Sequence, residues 1–313
     1  MTTLLLHLSD VDEAGWTERY REALPEVRVV RRDDDYDPAR VDYVFVWKPT
    51  PEAFDGLSGL KAVLSLGAGV DALLKHPRLP QAPIVRFVDA DLTEKMSDYV
   101  VAQVTMHQRL FTRFCRDQRA RRWTQIYPPA ASNTKVGIMG LGALGADAAR
   151  RLLGLGFGVV GWSRTAKAIE GVTNFAGEAE FDAFLAATDI LVCLLPLTPD
   201  TTGILNYEMF GKLRRKLDGG PVIVNAARGG HQREADIIKA LDDGTLGAAS
   251  LDVFEVEPLP AASPLWGLDN CYVTPHIAAI SNIETGVRYF SAIIRAHEAG
   301  KPLPNVIDRA RGY

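Results

Sequence analysis

One glycine-rich loop restricts the possible folds of this chain more than any other feature. The loop Gly140-Leu141-Gly142-Ala143-Leu144-Gly145 follows the apolar run Val136–Met139 and opens the stretch Ala143–Leu153, whose apolar residues recur at helical spacing. In a strand–loop–helix unit, the first glycine permits a tight turn and the second lets a pyrophosphate approach the backbone. The third lets the helix pack closely on the strand. The segment therefore predicts a parallel α/β domain with a dinucleotide at the helix N-terminus.

Short apolar runs alternate with amphipathic stretches on both sides of this loop, which favours parallel sheets covered by helices. The first part of the chain contains five strand candidates: Thr3–Leu8, Val27–Val30, Tyr43–Val46, Ala62–Leu66 and Ile84–Val88. The second part contains six: Lys135–Met139, Gly158–Trp162, Ile190–Leu194, Val222–Asn225, Ala248–Asp252 and Cys271–Thr274. We expect further helices at Ala14–Leu24, Glu94–Phe114 and Ile283–Glu298.

The length of the chain predicts two domains, because 313 residues exceed one typical hydrophobic core. The last helical stretch has no strand after it, so we expect it to return to the first domain. The predicted fold is α/β with two doubly wound parallel-sheet domains. A Rossmann dinucleotide-binding domain, residues 101–280, is inserted in a smaller, discontinuous substrate domain made of residues 1–100 and 281–313.

Composition excludes several other classes of protein. The formal net charge is −4, so nothing points to a nucleic-acid or anionic-membrane partner. Cys115, Cys193 and Cys271 are isolated and form no metal-site spacing, which suits a reducing cytoplasm. The N-terminal apolar run is too short to span a bilayer and is expected to be a buried strand. We therefore expect a cytoplasmic protein without a bound metal.

The end of the strand after the glycine loop predicts which cofactor is preferred. A site for NAD normally places Asp or Glu there, to bond the ribose hydroxyls. This strand ends instead in Ser163-Arg164-Thr165, with Lys167 just beyond. Arg164 can bind a 2′-phosphate bidentately, and Ser163 and Thr165 can donate to it. The sequence therefore predicts NADPH, with NADH less preferred; a solvated surface arginine is the alternative interpretation of Arg164.

Three residues in the last third of the chain form a candidate catalytic set. Arg228, Glu257 and His276 each follow a predicted strand, where open α/β sheets bind ligands. A carboxylate beside His276 would fix the tautomer of its imidazole and favour the imidazolium, which could then protonate a carbonyl oxygen. Arg228 offers a fork that grips a substrate carboxylate and polarises the carbonyl.

Each of these residues also has a structural interpretation. Glu257 precedes a proline, and Glu255 and Asp252 are acidic neighbours, so position alone does not select it. Arg228 suits a surface loop, and an isolated histidine such as His276 is more often structural than catalytic. Only the joint order of the three favours an enzyme.

A second glycine-rich segment follows a strand of the first domain. In Leu66-Gly67-Ala68-Gly69-Val70-Asp71, small residues can expose successive N–H groups as a nest for an anion. Turn chemistry alone explains the same composition. Both interpretations stay open.

Together these motifs resemble the D-2-hydroxyacid dehydrogenase family, and the similarity covers essentially the whole chain. The resemblance implies that Arg228 binds the substrate, that Glu257 orients His276, and that His276 is the acid/base. It also implies that the backbone at Ala68 and Gly69 holds the substrate carboxylate. The residues that it implies on the nicotinamide side are Leu195, Pro196, Ala226 and Asp252.

Finer motifs resemble the branch of this family that reduces glyoxylate and hydroxypyruvate. They are Val46-Trp47-Lys48-Pro49, the segment Leu66–Asp71, Trp162-Ser163-Arg164-Thr165, Thr274-Pro275-His276-Ile277-Ala278-Ala279-Ile280 and Asp308-Arg309-Ala310-Arg311-Gly312-Tyr313. By this resemblance Trp47 roofs a pocket for small 2-oxo acids; a core aromatic at a strand end is the alternative. One departure is Arg233-Glu234, where many relatives carry Asp before Glu. Because a cation opposes the helix dipole there, we expect a different local loop.

A basic run precedes Trp123 and comprises Arg109, Arg113, Arg116, Arg119, Arg121 and Arg122. A solvated helix face is the default interpretation. The family resemblance implies instead that this region contributes to a homodimer interface. Without aromatic interleaving or a basic domain, it does not indicate a nucleic-acid site.

The combined expectation is an NADPH-preferring reductase of small 2-oxo acids, glyoxylate and hydroxypyruvate among them. Two rivals remain at this point. One is the reduction of bulkier 2-oxo acids, or action on a phosphorylated hydroxy acid, on the same scaffold. The other is a nicotinamide-sensing binding protein without turnover.

Overall fold

The structure is a computed structural model that describes residues 1–313. The chain folds into two compact units. Unit 1 comprises Met1–Leu92 and Ser281–Tyr313, and unit 2 comprises Thr93–Ile280. The chain leaves unit 1 after Leu92, whereas the sequence prediction put this crossing after residue 100. No helix combines the length and the apolar run needed to cross a membrane.

Unit 1 is built on a parallel five-stranded sheet of order β2-β1-β3-β4-β5. Its strands are β1 (Thr3–Leu8), β2 (Arg28–Arg31), β3 (Tyr43–Trp47), β4 (Ala62–Ser65) and β5 (Ile84–Arg86). Its helices are α1 (Glu13–Ala23), α2 (Asp71–Leu74) and α9 (Ile283–Glu298). Every residue of β1 is buried, as expected for a central parallel strand covered on both faces.

The last helix returns to unit 1, as the sequence predicts, because its apolar side completes an aromatic core there. The ring centroid of Phe290 on α9 lies 5.1 Å from that of Phe45 on β3. The ring centroid of Trp16 on α1 lies 5.2 Å from that of Phe45. At the surface of unit 1, an ion pair between Arg295 of α9 and Glu26 adds a polar contact. The discontinuous domain is therefore confirmed.

Unit 2 is built on a parallel seven-stranded sheet of order β12-β11-β10-β9-β6-β7-β8. Its strands are β6 (Lys135–Met139), β7 (Gly158–Ser163), β8 (Thr173–Ala176), β9 (Ile190–Cys193), β10 (Val222–Asn225), β11 (Ala248–Leu251) and β12 (Cys271–Val273). The helices are α3 (Ala90–Gln108), which begins in unit 1, α4 (Phe111–Arg119), α5 (Ala143–Gly154), α6 (Phe181–Ala186), α7 (Tyr207–Gly211) and α8 (Glu234–Asp242).

The strand order of unit 2 reverses beside β6. The chain runs outward from β6 to β7 and β8, and then returns to place β9 on the other side of β6. Loops that leave β6 and β9 therefore diverge and leave a crevice at the carboxyl ends of these strands, the position where open α/β sheets bind ligands. The Gly140 loop and the Leu194–Pro196 segment both start at this crevice.

Two secondary-structure predictions also differ from the structure. The single helix predicted over Glu94–Phe114 is wrong, because Leu110 adopts a left-handed conformation (φ 61°) and separates α3 from α4. Leu110 is buried, and its neighbours include neither glycine nor proline, so nothing in the local sequence signals the break. Strand β8 was not predicted because it is a short edge strand, TNFA, with no buried residue.

Candidate functional site

The glycine loop has the geometry that a dinucleotide requires. Gly140 has φ +98°, and a Cβ there would lie 2.7 Å from the Leu194 carbonyl oxygen. A Cβ on Gly145 would lie 1.9 Å from the Gly140 carbonyl oxygen, so the start of α5 touches the loop. Nothing lies within 4 Å of the place that a Cβ on Gly142 would take, and no side chain caps the first turn of α5 at Ala143 and Leu144. A phosphate can therefore reach the N–H groups of this turn.

The end of β7 carries a cation and no carboxylate. Arg164 and Thr165 are exposed, whereas Ser163 is buried. The Ser163 hydroxyl donates to the Thr165 carbonyl oxygen at 2.8 Å, so its single proton is already used. Arg164 is thus the stronger candidate donor to a 2′-phosphate, and Ser163 shapes the turn that presents it.

His276 and Glu257 form a direct pair. His276 Nδ1 lies 2.7 Å from Glu257 Oε2. The other carboxylate oxygen of Glu257 accepts the Phe254 N–H at 3.0 Å, so both oxygens are held. The side chains remain 45% and 36% exposed, respectively, and stay accessible. Since Nδ1 faces the carboxylate, Nε2 is the nitrogen left to meet a ligand.

The buried side chain of Asp252 holds the loop that carries His276. Its Oδ1 accepts the Ile277 N–H and its Oδ2 the Ala278 N–H, each at 2.9 Å. The Asp252 carbonyl oxygen accepts the His276 N–H at 2.8 Å. These bonds fix His276 in a left-handed backbone conformation, φ 55°, which is strained for a residue with a side chain.

Arg228 lies at the end of β10, and its loop is packed against the loop of Glu257. A Cβ on Gly229 would lie 1.8 Å from the Phe254 carbonyl oxygen, so only glycine fits at this approach. Phe254 is also the residue whose N–H binds Glu257. The Arg228 side chain is half-buried, and its Nη1 donates to the Ala227 carbonyl oxygen at 2.7 Å.

A reciprocal pair of hydrogen bonds ties the same two loops together. The Glu234 N–H donates to Glu255 Oε1, and the Glu255 N–H donates to Glu234 Oε1, both at 2.8 Å. Glu255 thereby places a carboxylate at the first turn of α8, where the helix dipole favours negative charge. This contact explains how α8 tolerates the cation Arg233 at its N-cap, the departure noted in the sequence. The three acidic residues therefore have different partners. Glu255 caps α8, Asp252 holds the loop of His276, and Glu257 faces the His276 ring.

His231 is a site residue that the sequence analysis missed. It is fully buried, and its Nδ1 lies 3.1 Å from the Arg228 carbonyl oxygen and its Nε2 3.2 Å from that of Pro196. It therefore connects the loop of Arg228 to the Leu195-Pro196 segment after β9. Of the other residues implied on the nicotinamide side, Ala226 is buried directly after β10. A histidine three residues beyond an arginine carries no signal in the sequence, because its contacts depend on the fold.

In unit 1, the structure brings together Trp47 and the second glycine-rich segment. Trp47 ends β3, and a Cβ on Gly67 would lie 2.8 Å from Trp47 Cζ3, so the indole lies directly on Gly67. Ala68 and Gly69 follow at the surface, with Ala68 half-buried and Gly69 exposed. The half-buried Trp47 is thus part of a loop surface and not of the closed core.

Two histidines hold the segment after Trp47. The Thr50 N–H donates to His7 Nε2 at 3.2 Å, and the Thr50 carbonyl oxygen lies 2.9 Å from His76 Nε2. The Arg78 N–H donates to His76 Nδ1, so His76 Nε2 carries the proton in its neutral form. Burial lowers the pKa of His7, with a smaller contribution from Arg32. His7 and His76 were also missed by the sequence analysis.

The fold and these contacts define a protein of the dinucleotide-binding oxidoreductase class, with a Rossmann domain and a histidine–carboxylate pair. A family model described as the NAD-binding domain of D-isomer specific 2-hydroxyacid dehydrogenases matches residues 101–278. The chain belongs to the D-isomer specific 2-hydroxyacid dehydrogenase family.

Three relatives illustrate the similarity. Glyoxylate/hydroxypyruvate reductase A of Escherichia fergusonii is 40% identical over 317 residues, which span 99% of each chain. An NADPH-dependent glyoxylate/hydroxypyruvate reductase from Sinorhizobium meliloti, in complex with NADP and sulfate, is 44% identical with a TM-score of 0.94 over 100% of both chains. A probable 2-hydroxyacid dehydrogenase from Rhizobium etli, in complex with NADP, HEPES and L(+)-tartaric acid, is 46% identical with a TM-score of 0.94 and the same coverage.

Proposed function

We propose that this protein is an NADPH-preferring reductase of small 2-oxo acids, with glyoxylate and hydroxypyruvate as substrates and glycolate and glycerate as products. The observation that carries the proposal is the 2.7 Å pair of His276 and Glu257 on a Rossmann domain with an intact glycine loop. The names of the Escherichia and Sinorhizobium relatives support the same activity.

The residues present fit a bound NADPH. The N–H groups of the first turn of α5 would hold its pyrophosphate, and Arg164 its 2′-phosphate. Leu195, Pro196, Ala226 and Asp252 would line the nicotinamide side. Unit 2, Thr93–Ile280, would thus be the dinucleotide-binding domain and unit 1 the substrate domain. Two of the solved relatives contain NADP, which supports the preference.

When bound, NADPH supplies a hydride to the carbonyl carbon of the 2-oxo acid. Arg228 grips the substrate through its guanidinium fork and stabilises the charge that develops on the carbonyl oxygen. Glu257 holds Nδ1 of His276 and stabilises the imidazolium form. His276 then gives the Nε2 proton to that oxygen. The backbone N–H groups at Ala68 and Gly69 would bind the substrate carboxylate, and Trp47 would limit the size of the substrate.

We also infer that the working form is a cytoplasmic homodimer. The segment after α4 exposes Trp123 (99%) and Tyr127 (82%), large apolar surfaces that a second copy would cover. All three cysteines are free, in keeping with a reducing compartment. Light scattering of the purified chain measures the assembly, and a monomer at micromolar concentration would contradict this part of the proposal.

A steady-state assay of cofactor oxidation tests the proposed activity. The panel comprises glyoxylate, hydroxypyruvate, pyruvate and phenylpyruvate, each with NADPH and with NADH. We expect the highest kcat/KM for glyoxylate or hydroxypyruvate with NADPH. A preference for phenylpyruvate would indicate a pocket for bulkier acids. No turnover with any acid would contradict the proposal and favour a nicotinamide-binding protein without catalysis.

A further inference from the structure

A chain of hydrogen bonds joins Tyr99 to the loop of His276. Tyr99 lies on α3, and its hydroxyl is 2.9 Å from Thr274 Oγ1. Thr274 Oγ1 in turn donates to Asp252 Oδ1 at 2.6 Å. Asp252 is the residue that accepts the N–H groups of Ile277 and Ala278, directly after His276. The chain therefore reaches from α3 to the backbone beside the imidazole.

The direction of these bonds follows from counting protons. An ionised carboxylate only accepts, so the one proton of the Thr274 hydroxyl points to Asp252. Thr274 is then an acceptor towards Tyr99, and Tyr99 must be the donor. Burial raises the pKa of Tyr99 to about 12, which keeps the phenol protonated at neutral pH. The Thr274 hydroxyl thus links the Tyr99 donor to Asp252, and its loss removes one of the two hydrogen bonds that Asp252 Oδ1 accepts.

Helix α3, which carries Tyr99, is itself held in place by packing and hydrogen bonds. Val100 and Val104 of α3 are fully buried in the core of unit 2, and the Tyr99 ring packs against that core. Ser97 Oγ donates to Asp147 on α5 at 2.7 Å. A second contact from α3, Lys95 Nζ to the Ile280 carbonyl oxygen at 3.3 Å, reaches the residue that ends unit 2.

The loop needs this support because its conformation is strained. His276 has φ 55°, a region that residues with side chains rarely adopt, and it persists only where surrounding contacts enforce it. Three of the backbone hydrogen bonds that hold it end on Asp252, and the His276 N–H also donates to the Thr274 carbonyl oxygen at 3.1 Å. The orientation of Asp252 depends in turn on Thr274 and Tyr99.

We propose that Tyr99 and Thr274 are positioning residues for the reaction. They fix Asp252, and through it they hold His276 in the backbone conformation that presents its imidazole to Glu257. The inference rests on the proposed reductase function, because the first readout is turnover.

The test compares variants that differ by single groups. Thr274→Val deletes the hydroxyl at nearly constant volume, Thr274→Ser restores it, and Tyr99→Phe removes only the donor. Losing one such hydrogen bond should lower kcat about three- to tenfold in Thr274→Val and Tyr99→Phe, with the KM of the 2-oxo acid changed less than about twofold. Thr274→Ser should keep kcat within about twofold of wild type. Tyr207→Phe is the matched control, because Tyr207 gives its hydroxyl proton to Asp243 at 2.8 Å elsewhere in unit 2.

A second measurement reports on the loop without catalysis. The imidazole NMR resonances of His276, assigned by their loss in His276→Ala, should shift in Thr274→Val and Tyr99→Phe and stay in place in Thr274→Ser and Tyr207→Phe. If the wild-type protein shows no turnover, the proposed reductase function is refuted, and the NMR measurement still tests the positioning role of Tyr99 and Thr274. Unchanged kcat and unchanged His276 resonances in both deletion variants would overturn the positioning role, as would a serine variant as impaired as the valine one.

Discussion

Nδ1 of His276 lies 2.7 Å from Oε2 of Glu257, while Oε1 of the same carboxylate accepts the Phe254 N–H at 3.0 Å. The carboxylate is therefore held at both oxygens and cannot rotate away from the imidazole. The pair fixes the proton on Nδ1 in the neutral ring, and in the proposed mechanism Nε2 exchanges a proton with the substrate.

Replacing Glu257 with glutamine should lower kcat by about 10² or more, since an amide donor at this position would oppose the Nδ1–H tautomer and could not stabilise the imidazolium. Steady-state kinetics with NADPH and glyoxylate measure the effect. Glu255→Gln is the control, because Glu255 caps α8 and does not touch His276. Equal kcat values in the two variants would show that the pair has no catalytic role.

Arg164 should determine the preference for NADPH. Its replacement by alanine removes the candidate donor to the 2′-phosphate and should lower the ratio of kcat/KM for NADPH over NADH about 10- to 100-fold, mostly through the KM of NADPH. Arg150→Ala makes the same charge change at an exposed position on α5 and should leave the ratio unchanged. A ratio that falls equally in both variants would assign the effect to general electrostatics.

The stability of the protein should decrease on mild acidification because of His107. Burial lowers the pKa of this imidazole to about 4. Its Nε2 donates to Ser250 Oγ at 2.8 Å, since the Ser250 proton goes to Gln103, and its Nδ1 has no partner. The unfolded chain takes up a proton near pH 6.5 and the folded protein only near pH 4. The contribution of His107 to the free energy of unfolding is therefore complete above pH 6.5. As the pH falls from 6.5 towards 4, protonation of the unfolded chain lowers the free energy of unfolding by up to about 3 kcal/mol.

Urea denaturation at pH 7.5, 6.5 and 5.5 measures this effect. His107→Gln keeps a donor for Ser250 and removes the titrating group, so its free energy of unfolding should vary less steeply with pH than that of wild type. Identical slopes in the two proteins would rule out His107 as the source.

Gly229 should tolerate no substitution, because a Cβ added there would lie 1.8 Å from the Phe254 carbonyl oxygen. Gly229→Ala should destabilise the protein by about 1–3 kcal/mol and should displace Arg228 as well, which lowers kcat/KM. The control is Gly154→Ala at the end of α5, where nothing lies within 4 Å of the added carbon. If thermal unfolding of Gly229→Ala matched that of wild type, the close packing of these two loops would be wrong.

Chain length, periodicity and the glycine loop together were enough to predict the two-domain α/β fold. Strand β1 was predicted with its observed bounds, Thr3–Leu8, because a fully buried parallel strand is rich in apolar residues, here Leu4–Leu6 and Leu8. Edge strand β8 was missed for the opposite reason, since its partly exposed residues carry no apolar pattern. The break at Leu110 was missed because tertiary burial, not a local breaker residue, sets it.

The same limit applies to the site. The contact between Glu257 and His276 could be predicted, because both residues lie in motifs that resemble those of the family. Those that act through long-range contacts could not: Tyr99 is 175 residues from Thr274 along the chain, and the partner of His231 at Pro196 is 35 residues away. The sequence also could not divide the tasks of Asp252, Glu255 and Glu257, because their hydrogen-bond partners come from other loops.

The central claim, that Arg228 and His276 act on one substrate as a unit, is tested most directly by a double-mutant cycle on kcat. The four proteins are wild type, Arg228→Ala, His276→Ala and the double variant, assayed with NADPH and saturating glyoxylate. Residues that act together are strongly non-additive, so each single variant should lose about 10²-fold or more, and the double variant should be within about tenfold of the weaker single one. Wild-type turnover in either single variant, or losses that multiply fully in the double variant, would contradict the claim.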